Sequence, residues 1–263
     1  MRDPQSAPQD SYDSIAKHAG LLLDRLRTRS PRVHCITNSV AQNFTANALL
    51  AAGCVPSMTL SSEEIGDFVA SSDALLVNLG TFDRERRKVT ERAVEAARRD
   101  TIPWVLDPVF VDRAAGRASF AKLLLGRTPA VLRLNRAEFA ALADAQPTES
   151  ALAAYAGEHE VVVGVSGETD WVSDGLRLAK VANGHSLMGK VTAMGCATSA
   201  LVAACLAVEP DVWRATVCAL VIMGVAGESA AAAAGGPGSF AVGVIDALHG
   251  LDAAALQARA RVS

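Results

Sequence analysis

Residues 74–109 read ALLVNLGTFDRERRKVTERAVEAARRDTIPWVLDPV. Residues 74–79 are a nearly continuous apolar run, 83–99 have helical length and composition, and 104–106 are apolar again. A strand that is apolar at successive positions is buried on both faces, which is the habit of parallel sheets covered by helices. The same alternation extends outward in both directions. Further β-type runs stand at residues 33–36, 54–58, 130–134 and 161–165, with helical stretches between them. The fold class this predicts is α/β, with a central, mostly parallel sheet flanked by helices on both faces.

Residues 14–28 read as an amphipathic helix with Leu21, Leu22 and Leu26 on one side, and residues 1–12 as a mobile polar tail. Residues 171–181, with Asp174-Gly175 in the middle, predict a β-hairpin. From Gly195 onward the chain reads as helices over 195–208, 211–234 and from about Val242, the last following a break at residues 235–238. With no repeat and no linker, residues 13–263 are expected to form a single domain.

The chain has 263 residues, 50% hydrophobic and 20% charged, enough to bury a sizeable core. It carries 25 Lys and Arg against 28 Asp and Glu, a net charge of −3, which argues against a nucleic-acid partner. The basic run Arg84, Arg86, Arg87 and Lys88 reads as a solvated helix face. The apolar stretches 201–208 and 217–226 are shorter than the roughly 20 residues of a spanning helix, so no membrane association is expected. The N-terminus lacks the apolar core of a secretory signal. Five cysteines without CxxC spacing indicate neither a disulfide framework nor a zinc site, and a cytoplasmic location is expected.

Several β-runs end in polar residues: Thr37-Asn38, Asn78 and Gly80-Thr81, Asp107-Pro108, Arg133 and Asn135, and Ser166-Gly167-Glu168. If the strands are parallel, these ends converge on one rim, where open α/β sheets bind ligands. Asp107 and Glu138 could hold a Mg²⁺ through water, although Glu138 could equally cap a helix. Residues 191–200, VTAMGCATSA, run from a β-type pair through a small-residue turn into a helix. Backbone N–H groups at that helix start would bind an anion, and Gly195 would permit close approach. Cys196 would then occupy the first helical position, where a thiol pKa is lowered; the alternative is a tight turn with a buried structural cysteine. Neither GxxxxGK[ST] nor GxGxxG occurs, so a Walker-type NTPase and a dinucleotide-binding domain are not supported.

These stretches resemble the hydroxyethylthiazole kinase family of the ribokinase-like superfamily. The resemblance is carried by VHCITNSVAQNFTANALLAAG (33–53), SSEEIGDF (61–68), ALLVNLGT (74–81), PWVLDPV (103–109), NGH (183–185), MGCATSA (194–200) and GPGSF (236–240). It implies a ribokinase-like fold and transfer of the γ-phosphate of ATP, with Mg²⁺, to the hydroxyethyl group of 4-methyl-5-(2-hydroxyethyl)thiazole in thiamine salvage. It also implies a homotrimer with the thiazole site at the subunit interface. Carried over by residue, it places Asn38, Val40, Met58 and Ala193 by the thiazole and makes Asp107 and Glu138 the Mg²⁺-linked pair. Arg133, Asn135 and Ser166 become ATP contacts. Gly195 and Cys196 become the anion hole and the place where related sugar kinases carry a catalytic aspartate.

The family's TGTGC or TGAGC reads Thr192-Ala193-Met194-Gly195-Cys196 here, its RGN reads Arg133-Leu134-Asn135, and the threonine of its TGE is Ser166. If the replaced glycine needs a positive φ, Ala193 costs on the order of 1 kcal/mol. Two further readings stay open: a kinase of another small alcohol, and a non-catalytic nucleotide- or metabolite-binding homologue with a decayed anion hole. His34 and His185 read as hydrogen-bonded structure, Cys35, Cys54, Cys205 and Cys218 as packing residues, and Trp104 as core.

Overall fold

The computed structural model describes residues 12–263, so the tail expected over residues 1–12 lies outside the described residues but for Tyr12. Eight strands form one sheet: β1 (Arg32–Ile36), β2 (Val55–Ser57), β3 (Ala74–Asn78), β4 (Trp104–Asp107), β5 (Val131–Asn135), β6 (Val162–Ser166), β7 (Asp170–Ser173) and β8 (Leu178–Val181). Their order is β2-β1-β3-β4-β5-β6-β7-β8. The first six run parallel, and β7 and β8 are antiparallel additions at one edge. The expected β-runs and the Asp174-Gly175 hairpin are all present. The helices are α1 (Tyr12–Arg29), α2 (Gln42–Ala51), α3 (Ile65–Ala70), α4 (Arg84–Arg99), α5 (Ala115–Leu125), α6 (Arg136–Ala143), α7 (Glu149–His159), α8 (Met194–Leu206), α9 (Val212–Ala233), α10 (Pro237–Gly250) and α11 (Ala253–Arg259).

The period of two along each strand divides the core into two clusters. Ala74 and Leu76 of β3, Val105 of β4 and Val131 of β5 face the cluster built with α1, α2 and α8 to α11. Leu75 and Val77, Trp104 and Leu106, and Leu132 and Leu134 face the cluster built with α3 to α7. Both faces of the sheet are therefore covered, which is why β3 and β4 are buried at every position. The same parity carries Asn78, Asp107 and Arg133 to the α8 side.

Three local expectations are corrected. The buried stripe of α1 is Ile15, Ala19, Leu22, Leu23 and Leu26, while Leu21 is 44% exposed; a 3.6-residue period pairs Leu22 with Leu23 and Leu26 instead. The helix expected from about Val242 starts at Pro237. Proline at the first helical position loses no hydrogen bond, so the Gly235-Gly236 break is followed at once by a new helix. The short apolar stretch around residues 217–226 is the middle of the 22-residue α9, which by length and composition could cross a bilayer. Its most apolar window is 78% buried inside the protein, as in the core helix of an α/β fold.

Candidate active site

The carboxyl ends of β1, β3, β4, β5 and β6 share one rim because these strands are parallel. The start of α8 lies over that rim. Ala193 caps α8 at φ 74° and ψ −4°, in the left-handed region, so the condition under which it is strained is met. Ala197 N–H donates to Ala193 O at 2.8 Å as the first intrahelical bond. The N–H groups of Met194, Gly195 and Cys196 precede it and have no helical partners, which leaves them for an anion. Arg133 reaches across from β5, its Nη1 donating to Gly195 O at 3.2 Å. A Cβ on Gly195 would stand 3.1 Å from that nitrogen, so the arginine lies against the bare backbone.

Cys196 is the third residue of α8, not the first, and it is 8% exposed. Its Sγ accepts from Asn38 Nδ2 and from Asn78 Nδ2, each at 3.3 Å. Burial pushes the thiol up to about 11, and the nearby Asp107 carboxylate adds to the rise; the Asn38 hydrogen bond and the Arg133 charge oppose it. The expected lowering of this thiol is thus corrected. The helix terminus is present, but desolvation and a neighbouring negative charge outweigh it.

Asp107 is buried, and its Oδ2 accepts from Asn78 Nδ2 at 2.7 Å and Ser199 Oγ at 2.8 Å. Burial raises its carboxyl to about 6; the Arg133 charge pulls it down and the Glu138 charge pushes it up. Glu138 forms a capping box with Asn135. Its Oε2 accepts from Asn135 N–H at 2.8 Å, and Asn135 Oδ1 accepts from Glu138 N–H at 2.9 Å. Its Oε1 accepts from Phe110 N–H at 2.9 Å. The helix-capping reading of Glu138 therefore holds, and it also fixes where the carboxylate sits.

No group of three or more His, Cys, Asp or Glu suited to a metal occurs among the described residues. Mg²⁺ does not need one, since it is commonly held by one or two carboxylates with water and phosphate oxygens. Burial and the nearby Glu138 charge both disfavour the ionised form of Asp107, a penalty that a divalent cation would relieve. The residues present therefore fit that ion.

Beside this cluster lies a cleft of about 810 Å³. Arg133, Asn135, Ser166 and Gly195 line one part of it, and Met188, Met194, Leu220 and Met223 line a more apolar part. Ser166 Oγ donates to Leu134 O at 3.3 Å. Asn183 and Gly184 border the cleft and are held from behind by Glu228, whose Oε1 accepts from Asn183 Nδ2 at 3.0 Å and Gly184 N–H at 2.9 Å. Asn38 joins the cluster through Cys196. Val40, 73% exposed, and the half-buried Met58 do not line the cleft.

The sequence reading passed over Ser199, Asp170 and Glu228. Asp170 borders the cleft and accepts from Gly167 N–H at 2.9 Å, and burial raises its carboxyl. His185, read as structural, lines the cleft while capping the short turn Ser186–Lys190. His34 is structural as expected: it is buried, with Nδ1 2.7 Å from Ser57 Oγ and Nε2 3.2 Å from Thr59 O. Arg86 departs from the solvated-face reading. Its Nη1 donates to Thr37 O at the exit of β1, and burial lowers its pKa.

Comparison with known proteins gives the same direction. A model of the hydroxyethylthiazole kinase family matches residues 23–254. A probable hydroxyethylthiazole kinase of Agrobacterium fabrum is 42% identical over 233 residues, covering 89% of each chain. The structure of a hydroxyethylthiazole kinase protein from Pyrococcus horikoshii OT3 superposes with a TM-score of 0.89 at 38% identity, covering 94% of this chain and 98% of that one. A ribokinase-like superfamily protein from Enterococcus faecalis V583 has a TM-score of 0.66 at 12% identity, covering 92% and 90%, which establishes a shared fold alone.

Proposed function

The chain belongs to the hydroxyethylthiazole kinase family, and we propose that its cleft transfers the γ-phosphoryl group of ATP to the hydroxyethyl group of 4-methyl-5-(2-hydroxyethyl)thiazole, a step of thiamine salvage. The observation that carries this reading is the meeting of the α8 N-terminus and Arg133 in the wall of a cleft of about 810 Å³, with Asp107 buried behind them and held by Ser199 of α8. Phosphoryl transfer through a loose transition state asks mainly for positioning and charge stabilisation. The free N–H groups of Gly195 and Cys196 would take the transferring oxygens, and the Arg133 guanidinium would neutralise charge beside them. Asn135 and Ser166 would border the nucleotide phosphates. Asp107 and Glu138 would hold Mg²⁺, which would supply positive charge to offset that of the phosphate groups.

With its thiol at about 11, Cys196 is neutral at pH 7 and works by contact with the acceptor hydroxyl rather than as a strong base. Asn38, one hydrogen bond away, would hold the thiazole together with Val40, Met58 and Ala193. A homotrimer with the thiazole site at the subunit interface follows from the family resemblance, and the 73% exposure of Val40 is compatible with it. Five free and buried cysteines favour a reducing cytoplasm.

The test is Mg²⁺- and ATP-dependent phosphorylation of the thiazole alcohol by the purified protein, read by phosphorus NMR. Phosphorylated thiazole is the expected product. A second reading, binding without turnover, is favoured by the strained Ala193 alone. It is the outcome if the thiazole binds in calorimetry without product and Ala193→Gly with Met194→Thr creates activity. Neither product nor binding would point to another small alcohol.

A further inference from the structure

Asn78 is the single polar side chain in β3, whose other residues are Ala74, Leu75, Leu76 and Val77. It is 2% exposed. A buried carboxamide is costly unless its donors and acceptor are met, and here they are met in one arrangement. Gly80 N–H donates to Asn78 Oδ1 at 3.0 Å, which fixes which end of the amide is oxygen. The Nδ2 end then offers two hydrogens. One goes to Asp107 Oδ2 at 2.7 Å and the other to Cys196 Sγ at 3.3 Å. Asn78 pairs with Asp107 in the β3–β4 register, so the two side chains lie abreast on the face covered by α8.

We propose that Asn78 is a positioning residue for phosphoryl transfer, holding the metal-side carboxylate of Asp107 and the acceptor-side thiol of Cys196 at one fixed spacing through its two amide hydrogens. The inference rests on the functional reading above for its kinetic meaning. The sulfur must present a lone pair to Asn78, so its own hydrogen points elsewhere. Oδ2 of Asp107 is committed to Asn78 and Ser199, and neither of these bonds uses Oδ1. The bond to Gly80 extends the control to Asn38. A Cβ on Gly80 would lie 2.5 Å from Asn38 Cβ, so this turn buttresses the second amide that donates to Cys196. One side chain therefore ties together both reacting sides and the turn behind them.

The decisive variant is Asn78→Leu, which keeps the branched shape at somewhat larger volume and removes both donors together with the acceptor for Gly80 N–H. We expect kcat to fall at least tenfold, with KM for ATP and for the thiazole each within threefold. In a Cys196→Ala background the same change is expected to cost at least threefold less than in the wild type, because residues that act together are non-additive while the Asp107 contact is still lost. A second readout needs no turnover: alkylation of Cys196 by iodoacetamide at pH 8, followed by peptide mass spectrometry. A sulfur that loses an N–H donor is less readily the reactive thiolate, so alkylation should slow threefold or more. Cys35, Cys54, Cys205 and Cys218 are at most 2% exposed and report whether the fold is intact. Wild-type kcat, equal losses in both backgrounds, or an unchanged alkylation rate would overturn the proposal. Should Asn78→Leu fail to fold, Asn78→Ser, which is smaller and adds no charge, is judged by the same alkylation rate. If the wild-type protein phosphorylates no thiazole, the functional reading falls and alkylation alone decides the role of Asn78.

Discussion

Ala193→Gly should stabilise the protein, against the usual direction for that exchange. Ala193 sits at φ 74° and ψ −4°, where the Cβ of an L-residue crowds the following carbonyl at about 1–2 kcal/mol. Two effects oppose the relief. Glycine frees the unfolded chain by about 0.4–1 kcal/mol. The half-buried methyl also gives up part of the roughly 0.8 kcal/mol of a buried carbon. The balance is about 0.5 kcal/mol in favour of glycine. That margin is small, so the comparison needs a reference. Ala154 is exposed in the middle of α7, where glycine should cost about 1 kcal/mol. The two Ala→Gly variants should therefore differ by about 1.5 kcal/mol in urea unfolding at matched protein concentration, with Ala193→Gly the more stable. Equal losses at both positions would refute the strain argument, and so would a greater loss at 193.

Two further predictions follow from buried titratable groups. His34, fully buried, has its pKa lowered from 6.5 to about 4, chiefly by desolvation. Below pH 6.5 the unfolded state takes a proton that the folded state refuses, so stability is full above pH 7 and falls by up to about 3 kcal/mol as pH drops towards 4. Urea melts at pH 7 and pH 5 should separate the wild type from a His34→Asn variant, whose stability is lower but flatter; parallel curves would count against the shift. Asp107 carries the opposite sign, because burial raises it from 3.8 to about 6. Its contribution is favourable at low pH and is lost as pH rises through 6, amounting to about 3 kcal/mol by pH 8. Asp107→Asn should therefore raise Tm at pH 8 while lowering kcat at least 100-fold, and a variant that is both less stable and fully active would sink the assignment.

The sheet was legible in the sequence because a strand buried on both faces leaves little room for ambiguity: β3, β4 and β6 begin and end within one residue of their apolar runs. The hairpin was legible for a different reason, since Asp174-Gly175 names its own turn. What failed were features set by distant neighbours. Leu21 and Leu23 are equally apolar, and only the packing of α1 on α9 and α11 decides between them. Arg86 reads as one of four basic residues, yet the approach of α4 to the β1 exit brings this one to Thr37 O. At Cys196 the local signal, a helix terminus, has the right sign for a lowered pKa, but the burial and the Asp107 charge that reverse it come from the tertiary fold. Glu228 had no signal at all, because the loop it holds lies 44 residues away in the chain.

Parity also sorts the departures from the family pattern. Leu134 replaces a glycine between Arg133 and Asn135, and in sequence it looks like an intrusion at the nucleotide. In the sheet it faces the opposite way: it is 1% exposed and packs in the cluster beneath α3 to α7, while Arg133 reaches α8. A side chain there fills core and leaves the cleft wall unchanged. Met194 is different, since it is buried yet lines the cleft directly, and Ala193 carries backbone strain at the helix start that presents the anion-binding N–H groups. Any loss of rate relative to the family should therefore be recovered at positions 193 and 194, and replacing Leu134 by glycine should chiefly yield a less stable protein, because the side chain it removes is buried apolar volume on the face of β5 opposite α8.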